Sequence, residues 1–131
     1  MAKRLSCSVI TPERQVVEVE ADSLVLPAHD GLLGVMKDRA PLVCEVGIGI
    51  LRIKGTEGGE QKFYVDGGFA QVIDNNLTVL TTQAIPIAEL DRAAAQAALD
   101  KALQMKVRDE ASFDDRQKAL QRARIQLSNS R

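Results

Sequence analysis

The chain has 131 residues, of which 45% are hydrophobic and 27% charged, and its formal net charge is −1. This length fits one ordinary domain, or one domain with an appendage. The near-neutral charge and the low aromatic content, 3% with no Trp, exclude a protein that binds nucleic acid by its overall charge and disfavour base stacking.

The N-terminal ten residues lack an apolar run long enough for a secretion signal, and no stretch of the chain reaches the ~18 apolar residues of a transmembrane helix. The two cysteines, Cys7 and Cys44, both lie in apolar segments. We therefore expect reduced, buried cysteines in a reducing compartment, and any work at a membrane to depend on a partner.

The first part of the chain has the two-residue alternation that is typical of β-strands. Leu5, Cys7 and Val9 share one face of the first predicted strand, and Leu51 and Ile53 share one face of a later one. Turn signals separate such runs at intervals of about ten residues, a spacing that predicts a sandwich or a barrel.

Four of these turn signals are specific. Pro12 and Pro27 are each expected to close a strand, and Gly58-Gly59 is expected to form a hairpin turn. The segment DNN, residues 74–76, is a further turn signal, because Asn tolerates a positive φ.

The segment YVDGGFAQV, residues 64–72, reads as one strand with Gly67 and Gly68 in its middle. Glycine weakens a strand interior, so a pair of them needs a reason. A phosphate-binding loop needs a helix immediately after its glycines, whereas here the strand pattern continues. We therefore predict that Gly67 and Gly68 are structural, at a bulge or a close backbone approach.

The second part of the chain has no glycine and is rich in alanine, a composition that predicts helices. Pro86 suits a first helical turn. We predict a small-residue face that lets another helix approach closely, made of Leu90, Ala94, Ala97 and Ala98.

A second helix is predicted after the segment VRDEA, with Ser112 as its N-cap. Phe113, Leu120 and Leu127 recur every seven residues along it and form an apolar stripe. The two helices are predicted to form an αα-hairpin with a small hydrophobic core of its own. Whether it docks on the β-domain, on a partner, or on both in turn stays open.

Charge is uneven along the chain. Residues 1–84 carry eight Lys/Arg against eleven Asp/Glu, and residues 85–131 carry nine against seven. The last helix is the most basic segment, and its cations either form a solvated face that matches the helix dipole or dock against an acidic surface.

Candidate catalytic groups are few. His29, the one histidine, has no second His or Cys to make a metal site and no Ser in a nucleophile-elbow context. We therefore interpret it as an exposed turn residue, and we expect no enzymatic activity and no cofactor.

Several segments occur in an order and spacing that resemble one family. They are VITPER near the start, then GLLGVMKDRAPLV at 31–43, GILRI at 49–53, VDGGFAQV at 65–72 and LTVLTTQA at 77–84. Together with the helical tail they resemble the epsilon subunit of F-type ATP synthases of bacteria and chloroplasts. The resemblance spans essentially the whole chain.

The resemblance implies a fold and a role. The fold would be a ten-stranded β-sandwich over residues 1–84, followed by an antiparallel two-helix hairpin over 85–131. The role would be a non-catalytic subunit of the central stalk that couples proton flow to ATP synthesis. Its partners would be the gamma subunit and the c-ring, with a c-ring-facing loop at His29, Asp30, Gly31 and Leu32.

The same resemblance implies a regulatory tail and a location. In its extended state the tail would inhibit ATP hydrolysis by meeting an acidic segment of a beta subunit through Arg116, Lys118, Arg122 and Arg124. The complex would hold the chain on the cytoplasmic face of a bacterial plasma membrane, or on the stromal face of a thylakoid membrane.

Some members of the family bind ATP on the folded tail through a motif that begins with Leu or Ile, then Asp, and has Arg four positions after the first residue. Here Leu90 and Asp91 match, but Ala94 stands at the arginine position. Arg92 is nearby, and Lys101 and Arg122 fall where the family has further basic contacts. We expect ATP to be at most a weak regulatory ligand, held by Asp91, Arg92, Lys101 and Arg122.

Two other functions compete with this interpretation. The basic last helix would serve a nucleic-acid-binding module, which the acidic first part of the chain disfavours. A stand-alone nucleotide sensor would need the arginine that Ala94 replaces.

Overall fold

The computed structural model describes residues 4–28, 31–56 and 59–130, which form two compact units. The first unit ends at Pro86 and the second begins at Ile87. The first is built of β-strands and the second of helices. The elements are β1 (Leu5–Ile10), β2 (Gln15–Ala28), β3 (Gly31–Met36), β4 (Leu42–Glu45), β5 (Ile48–Gly55), β6 (Glu60–Asp66), β7 (Phe69–Ile73), β8 (Asn76–Leu80), β9 (Ala84–Pro86), a 3₁₀ turn (Ile87–Glu89), α1 (Arg92–Leu103) and α2 (Glu110–Asn129).

The strands follow one hydrogen-bonded path in the order β4-β7-β8-β1-β2-β5-β6-β9, with β3 added on β2. Neighbours are antiparallel throughout, except that β1 and β8 run parallel. The path folds over on itself at β2, so that the two ends of the path enclose a common core. The unit is therefore a β-sandwich, as predicted.

Strand β2 serves both layers of this sandwich. Residues 15–21 pair with β1, residues 23–28 pair with β3, and the register shifts between Ala21 and Ser23 where β2 meets β5. Such a shift bends a strand and lets it pass from one layer to the other. The predicted number of ten strands is wrong: the described residues form nine, because the 14-residue β2 stays continuous while it pairs in both layers.

The core of the sandwich has the alternating side chains that the sequence predicts. Leu5, Cys7 and Val9 of β1 are fully buried, and Leu51 and Ile53 of β5 are buried in the same cluster. Burial raises the pKa of the Cys7 thiol to about 12, because the apolar surroundings disfavour a thiolate. Cys7 is thus a packing residue of the core.

The turns agree with the sequence in part. Asp74 and Asn75 have φ values of 50° and 64°, which form the two-residue turn between β7 and β8. Strands β5 and β6 pair as a hairpin, and Gly58 of its predicted turn lies outside the described residues. The prediction that Pro27 closes a strand is wrong, because Pro27 pairs with Leu32 inside the β2–β3 ladder.

The entry into the helical unit differs from the prediction at Pro86. This residue ends strand β9, where it pairs with Phe63, and so it does not lie in a first helical turn. Helix α1 begins at Arg92 instead, because the Asp91 side chain accepts hydrogen bonds from the backbone N–H groups of Ala93 and Ala94 at 2.9 and 3.4 Å.

The N-cap of α2 is Asp109, so the prediction of Ser112 is wrong. The Asp109 carboxylate accepts a hydrogen bond from the Ser112 backbone N–H at 2.8 Å, and the Ser112 hydroxyl accepts one from the Asp109 N–H at 3.0 Å. This reciprocal arrangement is a capping box with Ser112 at its third helical position. The hydrogen bonds from Ser112 hold the pKa of Asp109 below its usual range.

The helices pack on each other through a seam that differs from the predicted one. On α1 the buried residues are Ala95 and Ala102, whereas Ala94, Ala97 and Ala98 are exposed. The prediction of the small-residue face is therefore wrong, because the buried face of α1 is rotated from it by about 100°, the rotation of one residue in a helix.

On α2 the apolar stripe is confirmed only at its centre. Leu120 and Ala123 are buried and Leu127 is half-buried, while Phe113 is 47% exposed. Within the described part of the chain, no helix is long and apolar enough to span a membrane.

Candidate functional site

The predicted c-ring-facing loop joins β2 to β3. Its first two residues, His29 and Asp30, lie outside the described residues. Gly31 opens β3 with a φ of 140°, and apart from its chain neighbours no heavy atom of the described residues lies within 4 Å of the position that its Cβ would take. Leu32 follows with 77% of its surface exposed, the largest exposed fraction among the large apolar residues described.

Gly67 and Gly68 lie between two strands and not inside one, so the reading of residues 64–72 as a single strand is wrong. The chain leaves β6 at Asp66 and enters β7 at Phe69, which lies in a distant part of the strand order. Both glycines have positive φ values, 73° and 104°. They form the corner by which the chain crosses between the sandwich layers.

The corner is tightly packed at Gly68 and open at Gly67. A Cβ on Gly68 would lie 1.8 Å from the carbonyl oxygen of Leu80, whereas among the described residues only the chain neighbours of Gly67 lie within 4 Å of a Cβ there. The Gly68 carbonyl also accepts a hydrogen bond from the Val46 N–H at 2.9 Å. A side chain at Gly68 would therefore separate the strands that flank the corner.

Threonines support the same corner. The Thr81 hydroxyl accepts a hydrogen bond from the Asp66 N–H at 3.2 Å and donates to the Gln83 carbonyl at 3.1 Å, and Thr82 donates to the Asp66 carbonyl. Next to them an open polar cleft of about 450 Å³ includes Arg14. No group of three or more His, Cys, Asp or Glu side chains that could hold a metal occurs in residues 4–28, 31–56 and 59–130.

The residues predicted to bind ATP fall into two groups on the hairpin. Asp91 and Arg92 lie at the start of α1, where the Asp91 carboxylate is already engaged as the N-cap. Lys101 lies ten residues after Asp91, about 15 Å further along the helix. The structure therefore does not bring Asp91 and Arg92 together with Lys101.

Lys101 and Arg122 line the same cavity in the hairpin. Both line a cavity of about 320 Å³ between the helices, together with Gln126. The rest of the lining is alanine and methionine side chains, at Ala98, Ala102, Met105, Ala119 and Ala123. Two cations and an amide above a small apolar floor could hold an anion, but the cavity lacks the two residues at the start of α1.

The four basic residues predicted for inhibition do not form one patch in this hairpin. At about 100° per residue, Arg116 and Arg124 lie on one side of α2, and Lys118 and Arg122 lie on the other. Arg116 and Arg122 are half-buried, whereas Lys118 and Arg124 are exposed.

A cluster of exposed apolar side chains on the sandwich was missed by the sequence interpretation. Phe69 of β7 is 60% exposed and Val43 of β4 is 66% exposed, although both lie on regular strands. The signal was present in β7, where Phe69 and Ile73 alternate with the core residues Ala70 and Val72. A strand that is apolar on both faces has two faces to bury.

Comparison with known proteins identifies relatives along the whole chain. Residues 4–87 match the family model described as ATP synthase, Delta/Epsilon chain, beta-sandwich domain. The ATP synthase epsilon chain of Rhodopirellula baltica is 43% identical over 127 residues, which are 97% of this chain and 98% of the relative. The chloroplastic ATP synthase epsilon chain of Emiliania huxleyi is 43% identical over 74% of each chain.

A solved structure shares the fold. One chain of the cryo-EM structure of the Euglena gracilis mitochondrial ATP synthase matches with a TM-score of 0.82 at 21% identity. The match covers 95% of this chain and 79% of that one, so it includes both the sandwich and the helices.

Proposed function

The chain belongs to the delta/epsilon chain family of ATP synthase, and we propose that it couples proton flow through the c-ring to ATP synthesis as a subunit of the central stalk. The observation that carries this proposal is the relation to a named epsilon chain over 97% of this chain and 98% of that relative. An epsilon chain is not the catalytic subunit of the complex, so coupling depends on binding surfaces and stiffness.

The sandwich is suited to the coupling role. Torque passes through a subunit only if that subunit does not deform, and close-packed cores resist deformation. Here β2 ties both layers together, and a core of fully buried residues fills the space between them. We propose that the gamma subunit and the c-ring bind the sandwich, with the exposed Leu32 and its neighbours His29, Asp30 and Gly31 facing the c-ring.

We further propose that the hairpin inhibits ATP hydrolysis in an extended state. A switch needs two states of similar free energy, and the described part of the hairpin buries only four residues, three of which are alanines. Extension would free Arg116 and Arg122 to join Lys118 and Arg124 against an acidic segment of a beta subunit. Exposed ion pairs contribute about 0–1 kcal/mol each, so several must act together.

ATP binding to the hairpin is proposed to be weak. The carboxylate of Asp91 caps α1, and Ala94 has no charge to offer a phosphate. Of the four residues predicted to bind ATP, only Lys101 and Arg122 line a shared cavity, so the phosphates would lack the contacts at the start of α1. Isothermal titration of the full chain with ATP tests this, and a micromolar dissociation constant would contradict it.

For location, we propose that the complex holds the chain at a membrane surface without inserting it. The surface would be the cytoplasmic face of a bacterial plasma membrane or the stromal face of a thylakoid membrane, since bacterial and chloroplast epsilon chains are both among its relatives.

One experiment separates coupling from inhibition. A reconstituted ATP synthase is assembled with the full chain or with a chain that ends at residue 86. Proton-driven ATP synthesis should persist with the shortened chain, while ATP hydrolysis should rise. Equal hydrolysis rates would remove the inhibitory role alone, and failure of the full chain to bind the gamma subunit would remove both.

A further inference from the structure

The outer face of strands β5 and β6 gathers positive charge on a unit that is acidic as a whole. Residues 1–84 carry eight Lys/Arg against eleven Asp/Glu, and three of the eight lie on these two neighbouring strands. Arg52 and Lys54 alternate with buried core residues of β5, so both point outward. The basic patch is defined as Arg52, Lys54 and Lys62, all of which are exposed.

The strand register brings these three cations together. Arg52 lies directly opposite Lys62, and Lys54 follows Arg52 two positions along the same face of β5. Cβ atoms of directly opposite residues are ~5 Å apart, and residues two apart in a strand are separated by ~7 Å. Like charges that lie so close repel each other, so an anion bound beside them would relieve this repulsion.

The described acidic neighbours neutralise the patch only in part. Glu60 lies opposite Lys54 but forms its ion pair with Lys62, at 3.6 Å. Asp22 lies at the register shift of β2, next to the residue opposite Lys54, and the two are not paired. Among the described residues no ion pair engages Arg52 or Lys54. Two of the three cations are therefore available to a carboxylate from another molecule.

An apolar margin borders the patch on the side of β2 and β3. Val25 lies opposite Arg52 and is half-buried. Met36 lies in the row that runs through Ser23 to Lys54, and it is 65% exposed. A polypeptide segment can bury apolar side chains on this margin while its carboxylates meet the cations, which a free phosphate cannot do.

Lipid headgroups are a poor occupant for the basic patch. The Gly47 N–H donates to the Pro27 carbonyl at 2.7 Å, so β5 begins beside the β2–β3 loop that is proposed to face the c-ring. Lys54 lies seven residues after Gly47, ~23 Å away at ~3.3 Å per residue. The patch therefore lies toward the end of the sandwich that is remote from the proposed c-ring contact and the lipids around it.

We infer that the basic patch binds an acidic polypeptide segment of another ATP synthase subunit, which carries apolar side chains beside two carboxylates ~5–7 Å apart. That spacing is found between residues i and i+4 of a helix and between residues i and i+2 of a strand. The inference rests on the proposed stalk function and adds to it a contact surface of stated chemistry. Arg52 is the central contact, because its guanidinium can bind a carboxylate through two parallel hydrogen bonds.

The test uses a carbodiimide, which joins a Lys amine to a carboxylate only where the two are in direct contact. It is applied to a reconstituted ATP synthase that contains the full chain, and the links are located by mass spectrometry. Lys54 and Lys62 should link to Asp or Glu residues of one segment of another subunit. Lys37, which is exposed between β3 and β4 and lies outside the patch, is the matched control and should not link to that segment.

The role of charge is tested by Arg52→Gln. This variant should lower the yield of both links by ~5-fold at low salt, the upper range for one exposed ion pair, and the difference should shrink at high salt. Arg52→Lys keeps the charge and should retain most of the yield. Arg4→Gln removes an exposed cation of the same unit outside the patch and should leave the yield unchanged. The urea midpoint of Arg52→Gln should not fall, because the substitution removes a repulsion between like charges.

The outcomes separate this inference from the proposed function. If the chain does not assemble with the other subunits, both fail. If it assembles and supports ATP synthesis, but Lys54 and Lys62 link to no other subunit or Arg52→Gln leaves the yield unchanged, only the inference fails. Links between two copies of the chain would identify a different occupant and overturn it, as would binding of the isolated chain to phosphatidylglycerol vesicles that Arg52→Gln abolishes.

Discussion

The two units of this chain are stabilised to different degrees. The sandwich buries large aliphatic side chains from strands that are far apart in sequence, such as Leu5, Leu51 and Leu77. The helical unit buries Leu120 and three alanines. Because hydrophobic stabilisation scales with buried apolar area, the hairpin gains little from each buried residue. The sandwich is therefore expected to be the more stable of the two units.

The largest effect is expected at the corner between the sandwich layers. Gly68→Val would place a Cβ 1.8 Å from the Leu80 carbonyl oxygen on a residue with φ of 104°. Neither the backbone clash nor the positive φ can be relieved by a rotamer change, so we expect a loss of more than ~4 kcal/mol in the free energy of unfolding. Urea denaturation, or loss of soluble protein, measures it.

Gly67→Asn is the matched control for that variant. Gly67 has a φ of 73° but open space around its Cβ position, and Asn tolerates this backbone conformation. We expect a loss of no more than ~1 kcal/mol. Equal losses at the two glycines would mean that backbone conformation, and not the close approach to Leu80, determines the effect.

A pair of core truncations compares the two units directly. Leu51→Ala should lower the free energy of unfolding of the sandwich by ~3 kcal/mol, because Leu51 is fully buried among other large side chains. Leu120→Ala should cost ~2 kcal/mol. Its effect should appear as faster amide exchange in α1 and α2 while the amides of the strands keep their rates. Faster exchange in both units after Leu120→Ala would contradict the view that they open separately.

Substitutions at the N-caps test the stability of each helix separately. Asp91→Ala should lower the free energy of unfolding of α1 by ~1 kcal/mol, and Asp109→Ala should destabilise α2. Helical circular dichroism and amide exchange report both. If either variant also changed the exchange rates of the strand amides, the N-caps would be stabilising the sandwich as well as the hairpin.

Asp109 adds a pH dependence to α2. Its pKa is lowered in the folded helix, so its stabilising contribution is present above the carboxyl pKa of the unfolded chain and is lost as the pH falls through the lower folded value. The native chain and Asp109→Ala should therefore have the same α2 exchange rates at strongly acidic pH and differ near neutrality. A constant difference at every pH would exclude the carboxylate as the cause.

The smallest effect concerns the two thiols. Cys7 is fully buried with its pKa raised to about 12, whereas Cys44 is half-buried on β4. A thiol reagent should label Cys44 first and reach Cys7 only when the sandwich unfolds. The rate at Cys7 should rise in Leu51→Ala and not in Leu120→Ala. Early labelling of Cys7 in the native chain would show that the sandwich opens more readily than its core implies.

Local patterns in the sequence were enough to predict most of the fold. The alternation in β1 and β5 identified core residues such as Cys7 and Ile53, and Asp74-Asn75 marked a turn. The corner at Gly67-Gly68 was read as a strand interior because β6 and β7 are contiguous in sequence. Only the strand order, which depends on distant pairing, reveals that they belong to different parts of the sandwich.

Helix boundaries and sites were harder to predict, for related physical reasons. Asp109 and Ser112 can both cap a helix, and reciprocal hydrogen bonds decide between them. The family resemblance implied Arg122 as a ligand residue, but that it lines one cavity with Lys101 depends on how the helices pair. The row of apolar side chains on the outside of the sandwich needs the cross-strand register of three strands, since Phe69, Leu80 and Ile10 have no pattern in common along the chain.

The parallel pairing of β1 with β8 also has a consequence for synthesis of the protein. Ser6 pairs with Asn76 and Ile10 pairs with Leu80. Strand β1 therefore cannot form this pairing until β8, some 70 residues later, has been synthesised. Contacts between residues so distant in sequence form slowly. A nascent chain therefore holds its first strand unpaired on that side until β8 has left the ribosome. The hairpin pairs two helices that follow each other directly in sequence, so its formation involves no such delay.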